Sequence, residues 1–306
     1  GLMDKMNKTK MLSKFSLISI FIIFSLTVLL LGCSFHSHHN HDEKTSLITI
    51  DGNGNLKCYL SENVTLEMKR CPAGTFQMGS LDTELNHAED EVLHSVTISN
   101  DFYMGVYEVT NEQYKAIMGT TTSQLNLEDK FPVESISWNS INDKDGFIAR
   151  LNDKFSSYLP SGYKFSLPTE AQWEYSCRAG TQGQLNYIED DTKNYDDTVN
   201  IGNVAWYSDN SGETSHEVGK KKANAWGLYD MHGNILEWCL DSTSGEPYGS
   251  EAVTDPVGTA GPYKIARGSA WNYDSTTCRS AHRFGANPSK SSNFIGFRLA
   301  LVKTQN

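Results

Sequence analysis

The segment Gly227-Leu228-Tyr229-Asp230-Met231-His232-Gly233-Asn234-Ile235-Leu236-Glu237-Trp238 places two carboxylates around a short run of main-chain carbonyls. Calcium takes carboxylate and backbone oxygens in irregular geometry, so Asp230, the carbonyls of Gly233 and Ile235, and Glu237 form a candidate ligand set. Gly227 and Gly233 allow the left-handed backbone or close approach that such a loop needs before it feeds a buried strand. The same residues equally suit a hydrogen-bonded turn in which both carboxylates cap backbone amides. A second cluster of donors, His36, His38, His39 and His41, has the chemistry for a transition metal. Nothing near it completes a rigid site, so it reads as a polar, His-rich spacer.

Positioning these groups requires a scaffold, and composition limits which kind. The chain has 306 residues, a formal charge of −11, and is rich in Gly, Asn, Ser and aromatic residues. That balance favours one large loop-rich globular domain over a helical bundle. It also argues against a nucleic-acid partner, which needs clustered Lys and Arg. The one basic run in the body of the chain, Lys220-Lys221-Lys222, reads as a solvated turn.

Lys5, Lys8, Lys10 and Lys14 precede an apolar stretch at 15–31 that closes in Leu30-Leu31-Gly32-Cys33. A basic region, an apolar region and small residues describe a secretory signal, and the alternative is an uncleaved membrane anchor. Leu-x-Gly-Cys resembles the bacterial lipobox, which makes Cys33 the candidate lipidation site. On that reading 1–32 is a signal peptide, 33–46 is the linker, 47–306 is the domain, and acyl chains hold the protein on a membrane. Ser34 after the cysteine favours the outer membrane and cell surface.

Within the domain, residues 47–51 and 56–60 around Gly52-Asn53-Gly54 suit a hairpin, with further strands at 64–70, 94–98 and 102–107. Thr110 with Gln113 predicts a capped helix start. Ile141, Phe147, Ile148 and Leu151 have the spacing of one helix. Thr169 with Gln172 predicts another capped helix, ending at Gly180. Cys58, Cys71, Cys177, Cys239 and Cys278 are odd in number. The last three have the context of buried thiols, and a Cys58–Cys71 bridge stays open.

Pro-Ala-Gly-Thr-Phe-Gln-Met-Gly-Ser at 72–80, Glu-Val-Thr-Asn at 108–111 and Leu-Pro-Thr-Glu-Ala-Gln-Trp-Glu-Tyr at 167–175 recur in order with Asn-Ala-x-Gly-Leu-Tyr-Asp-Met-x-Gly-Asn at 224–234 and Gly-Phe-Arg at 296–298. Together they resemble the formylglycine-generating-enzyme, or sulfatase-modifying-factor, family. The resemblance implies an irregular α+β fold of the C-type-lectin-like class, with short strands, few helices and long loops. It implies calcium at Asp230, Gly233, Ile235 and Glu237. A second family calcium site falls near Asn203 and Val204, but Gly219 stands where a carboxylate is expected. The family's enzymes bind copper through two cysteines; Cys278 matches the second, while Tyr273 stands in place of the first. Thiolates suit Cu(I) and a phenol does not replace one, so neither copper nor cysteine oxidation is expected.

Between Trp271 and Phe294 a frame of Cys278-Arg279-Ser280-Ala281, Arg283, Asn287-Pro288 and 295–298 alternates with other residues. Ala270, Tyr273, Asp274, Thr276, Thr277, His282, Phe284, Gly285, Ala286, Asn293 and Phe294 are all reachable from an asparagine codon by changes at adenines alone. The pattern is similar to the footprint of diversity-generating retroelements, whose variable proteins share this fold, and to the variable surface lipoproteins of treponemes. These residues are therefore the candidate ligand-binding face within a variable segment at about 267–299. Tyr and Phe give contact area at low entropic cost, as in antibody paratopes. Two functions stand: a non-catalytic, monomeric surface protein binding a protein or glycan ligand, and an oxidase-type enzyme with an altered site at Cys278.

Overall fold

The computed structural model describes residues 46–186 and 201–304. The leader, Cys33 and the His-rich stretch lie outside them, and the chain from Ser46 onward forms one compact unit. It begins with β1 (Ile48–Ile50), β2 (Leu56–Tyr59) and β3 (Thr65–Cys71), followed by β4 (Gly74–Met78), β5 (His94–Ile98) and β6 (Phe102–Gly105). The expected hairpin forms with Ile48 opposite Cys58. Its turn is closed by Asp51 Oδ1, which accepts the amides of Asn53 and Asn55 at 2.8 and 2.9 Å. Asp and Asn close turns in this way because a short side chain can mimic a backbone turn.

Both capped helices are present. In α1 (Asn111–Met118), Thr110 and Gln113 satisfy each other's backbone amides, and Gly119 ends the helix in the left-handed region. The helix read through Ile141 and Leu151 is instead two, α2 (Trp138–Asn142) and α3 (Phe147–Phe155), because Asp143 is extended and the chain turns sharply at Gly146. A Cβ on Gly146 would lie 2.4 Å from the carbonyl oxygen of Ser140, so the bend needs glycine. After β7 (Tyr163–Ser166) comes α4 (Glu170–Arg178), capped by Thr169 and Gln172 as expected. Its left-handed cap is Ala179, one residue before the Gly180 stop read from sequence. The strand expected at 102–107 likewise ends early, at Gly105, and leaves Tyr107 outside it.

The remainder is short and irregular: α5 (Ile201–Val204), β8 (Ala205–Trp206), β9 (His232–Gly233), β10 (Leu236–Thr243), β11 (Val253–Thr254), β12 (Tyr263–Arg267), β13 (Arg283–Ala286), β14 (Ile295–Gly296) and β15 (Ala300–Lys303). The last strand returns to the first sheet, whose order is β1-β2-β3-β6-β15-β7. A four-stranded sheet, β13-β12-β10-β14, carries the C-terminal segment. One apolar core packs Phe147, Leu151, Phe155, Trp238 and Phe297; a second packs Phe76, Phe102, Trp173 and Leu228. Cys58, Cys71, Cys177, Cys239 and Cys278 are free and buried. Cys58 faces Leu66 across the β2–β3 ladder, which leaves Cys71 at the far end of β3 and rules out the bridge between them.

One buried carboxylate joins the two halves. Asp241 on β10 accepts the Glu170 amide at the start of α4 at 2.7 Å and the Gly258 amide at 2.7 Å. Burial pushes its carboxyl up to about 7, and the nearby Glu170 charge adds to the shift. A carboxyl raised on folding stabilises below its unfolded pKa, and that contribution is lost as pH rises through the folded value. The stabilising contribution of this group therefore declines between pH about 4 and about 7, by on the order of 4 kcal/mol. In denaturant titrations Asp241→Asn flattens that decline while lowering stability at the acid end, since one amide loses its acceptor.

Candidate functional site

The segment at 267–299 is held by arginines that point inward. Arg267, Arg279 and Arg298 are almost fully buried, and each meets a carboxylate from an earlier part of the chain. Arg267 reaches Glu170 at 3.2 Å and Glu174 at 2.5 Å, and also binds the carbonyls of Ser280 and Ala281. Arg279 bridges Glu84 and Glu91 on the loop after β4, while Arg283 forms a fork on Glu170. Arg298 engages Glu237 and the carbonyls of Gly105 and Tyr229. Planar guanidinium forks of this kind fix direction as well as distance. The frame residues Cys278, Ser280, Ala281, Ile295 and Phe297 are buried with them.

Most of the interleaved positions lie at the surface. Asp274, Thr276 and Gly285 are exposed, and Tyr273, Thr277, His282, Phe284, Ala286, Asn293 and Phe294 are half-buried. Ala270 is the exception. It has no exposed surface and packs in the main core, so it does not belong to a contact face. The ring of Tyr273 meets Phe284 at 5.9 Å and Phe294 at 5.7 Å, both edge to face, forming one aromatic cluster from three separate strands and turns. Asp274 is committed to the turn: its Oδ1 accepts the amide and hydroxyl of Thr276. Thr277 is paired with Ser269 and the Asp274 carbonyl. Burial holds the His282 imidazole down to about 4, so it is neutral at ordinary pH. Gly285 sits on the opposite side of β13 from Phe284 and Ala286, against Thr243 and Tyr263.

Three neighbours of this face were not picked out from sequence. Trp271 donates its indole N–H to the Asn293 carbonyl at 3.2 Å. Lys264, opposite Ala286 in the sheet, lies 4.0 Å over the ring of Trp138. The two tryptophans offered only aromatic type as a sequence signal, which the core uses as freely as the surface, and Lys264 offered none.

Tyr273 and Cys278 serve different neighbourhoods. The Cys278 sulfur sits in a small apolar cluster with Leu185, Ile201, Val204 and Ala205, and burial pushes its thiol up to about 12. Burial of this kind favours the protonated thiol. The Tyr273 ring instead joins Phe284 and Phe294.

The carboxylate loop has a mixed fit to calcium. Asp230 and Gly233 are left-handed, at φ 56° and 73°, and a Cβ on Gly233 would lie 2.1 Å from the Trp206 carbonyl oxygen. Asp230 Oδ2 accepts the Gly219 amide at 2.6 Å, while its buried Oδ1 has no partner. That free oxygen suits a hard cation. Glu237 does not: its oxygens are taken by Arg298, at 2.7 and 3.0 Å, and by the Trp173 indole at 2.7 Å. Sequence reasoning also missed Glu108, which accepts from Asn234 and Ile235 inside the same loop. Burial, with the charges of Asp230 and Glu237, drives its carboxyl well above the usual range. Among the described residues, no group of three or more His, Cys, Asp and Glu side chains is arranged to hold a metal. At the second family position, Gly219 brings no carboxylate. The Asn203 carbonyl accepts the Lys222 amide and the Gly202 carbonyl accepts Lys221 Nζ, so these residues do not fit a calcium ion.

Short strands, long loops and a C-terminal segment pinned by buried ion pairs define a scaffold of the C-type-lectin-like, formylglycine-generating-enzyme type. The family model described as a sulfatase-modifying factor enzyme 1-like domain matches residues 60–303, and the chain belongs to that family. It is similar to the formylglycine-generating enzyme of Mus musculus, 27% identical over 284 residues, covering 76% of this chain and 74% of that protein. Among solved structures it is similar to Treponema denticola variable protein 1, with a TM-score of 0.68 at 27% identity, covering 80% of this chain and 98% of that one. It is also similar to PvdO from Pseudomonas aeruginosa, with a TM-score of 0.63 at 27% identity, covering 80% and 97%.

Because Glu237 is paired with Arg298 in the interior, truncating it strands a buried guanidinium. Glu237→Ala is expected to cost about 3–5 kcal/mol of unfolding free energy. Chemical denaturation with chelator and with calcium should give the same loss, which separates an ion-pair role from a metal-ligand role.

Proposed function

We propose that this protein is a non-catalytic binding protein, displayed on the cell surface by acyl chains on Cys33, that recognises its ligand through the C-terminal face. The observation that carries this reading is the partition of the segment at 267–299. Its frame is buried on arginine–carboxylate pairs, while Tyr273, Phe284 and Phe294 gather into an accessible aromatic cluster. Similarity to a protein named as variable supports the view that a retroelement diversifies these positions. The polar side chains nearby are largely committed to internal bonds, as at Asp274 and Thr277. Contact would therefore come mainly from ring edges, which favours a protein ligand over a glycan.

A structural calcium is proposed at the Asp230 loop, held by Asp230 Oδ1 with the carbonyls of Gly233 and Ile235, and with Glu237 left to its arginine. The ion would neutralise one of the buried carboxylates and leave the binding face unaltered.

Sequencing alleles and flanking DNA should reveal differences confined to adenine-derived codons at the interleaved positions, beside a reverse transcriptase. Identical alleles throughout that stretch would sink the diversification. Purified protein given copper, oxygen and a cysteine-containing peptide should consume no oxygen; turnover at Cys278 would establish the oxidase reading instead. For calcium, the melting temperature of the wild type should rise on adding the ion to chelated protein and that of Asp230→Asn should not. An unresponsive wild type removes the ion.

A further inference from the structure

The middle of the Lys220-Lys221-Lys222 run is not a solvated lysine. Lys221 is half-buried, and its Nζ donates to the Gly202 carbonyl at 2.6 Å on the short helix α5. The same ammonium lies 3.6 Å from the centre of the Trp206 ring. His216 covers that indole from a 3.7 Å stack at an interplanar angle of 16°. The adjacent backbone adds a second tie, Lys222 N–H to the Asn203 carbonyl at 2.9 Å. Lys220 by contrast is exposed and pairs with Glu217.

A cation seated between the Gly202 carbonyl and an indole face gains from both, because the carbonyl dipole and the ring quadrupole each favour positive charge. The stretch it braces also matters for the carboxylate loop. Gly219 N–H holds Asp230, and the Trp206 carbonyl accepts the Asn234 amide at 2.9 Å. Gly219 is itself left-handed at φ 76°, with its Cα against the Tyr107 ring, where a Cβ would lie 2.7 Å away. A carboxylate there would have to displace that ring.

We propose that Lys221 is a built-in cation that replaces a divalent ion in bracing α5 to the loop at 216–222. This half of the scaffold is therefore independent of calcium. The ammonium supplies the positive charge, the Gly202 carbonyl and the Trp206 face supply the cradle, and the missing carboxylate at Gly219 follows because a singly charged, covalently tethered cation needs no anionic counter-ligand.

The test uses the full chain with Lys221→Met, which keeps the apolar stem, and Lys221→Arg, which keeps the charge. With chelator present, Lys221→Met should lower the melting temperature by about 2–6 °C, and Lys221→Arg should recover part of that loss. In the Asp230→Asn background, recovery of Lys221→Met by added calcium also supports the assignment, since the emptied Gly202 carbonyl would admit the ion. Where a variant fails to fold, hydrogen exchange decides: in the Asp230→Asn chain, which lacks the other candidate site, the amides at 202–206 should be equally protected with and without calcium. Calcium-dependent protection there, or a Lys221→Met chain as stable as wild type in chelator, overturns the proposal.

Discussion

The pairing of interior arginines with interior carboxylates is the constraint from which the remaining architecture follows. Glu174 shows how dense the pairing is. It accepts from Arg178 at 2.8 Å, from Arg267 at 2.5 Å and from the Gly79 amide at 2.9 Å, so one side chain joins α4, β12 and the turn after β4. Such pairs add little net stability over apolar replacements, because desolvating both ions offsets their attraction. Their value is positional. A buried charge without its partner is far more costly than the pair, so alternative paths for the backbone through this region are excluded. Short strands and long loops supply little ladder hydrogen bonding, and directed ion pairs substitute for it.

That substitution explains how a segment can be fixed in backbone yet permissive in side chain. From 267 to 298 the chain is anchored through Arg267, Arg279, Arg283 and Arg298, whose bonds within the segment go to backbone carbonyls rather than to the side chains between them. Tyr273, Phe284 and Phe294 touch one another and rest on the outer side of the main core. Ala270 marks the boundary of this freedom. It is sealed in the core, so any larger residue there must displace its packed neighbours, and the codon pattern at that position has no counterpart in exposure.

Local features were legible in the sequence because their causes are local. The capping boxes at Thr110 and Thr169 and the turn at Asp51 depend on residues within four positions of one another. The pairing of Glu237 with Arg298 was not legible, since the two carboxylates of one loop invite a metal when read without the guanidinium that arrives from 61 residues away. Lys221 was hidden for the same reason: three lysines in a row look solvated until Trp206 and Gly202 are placed beside the second. Glu108 was passed over because its partners, Asn234 and Ile235, come from the other end of the chain. What sequence reasoning missed is in each case a charge whose partner lies far along the polymer.

Cys278 and Tyr273 show how that scaffold separates its frame from its outer layer. Cys278 stays in the buried frame, in an apolar pocket that keeps its proton on, next to Arg279 and its two carboxylates. Tyr273 belongs to the outer layer, and its hydroxyl-bearing ring completes a cluster with two phenylalanines. One position is thus committed to packing and the other to an aromatic cluster. A frame rigid enough to hold reactive sulfurs in register is equally suited to hold a set of unrelated side chains in register. On the proposed reading, recognition uses that stiffness to present the rings.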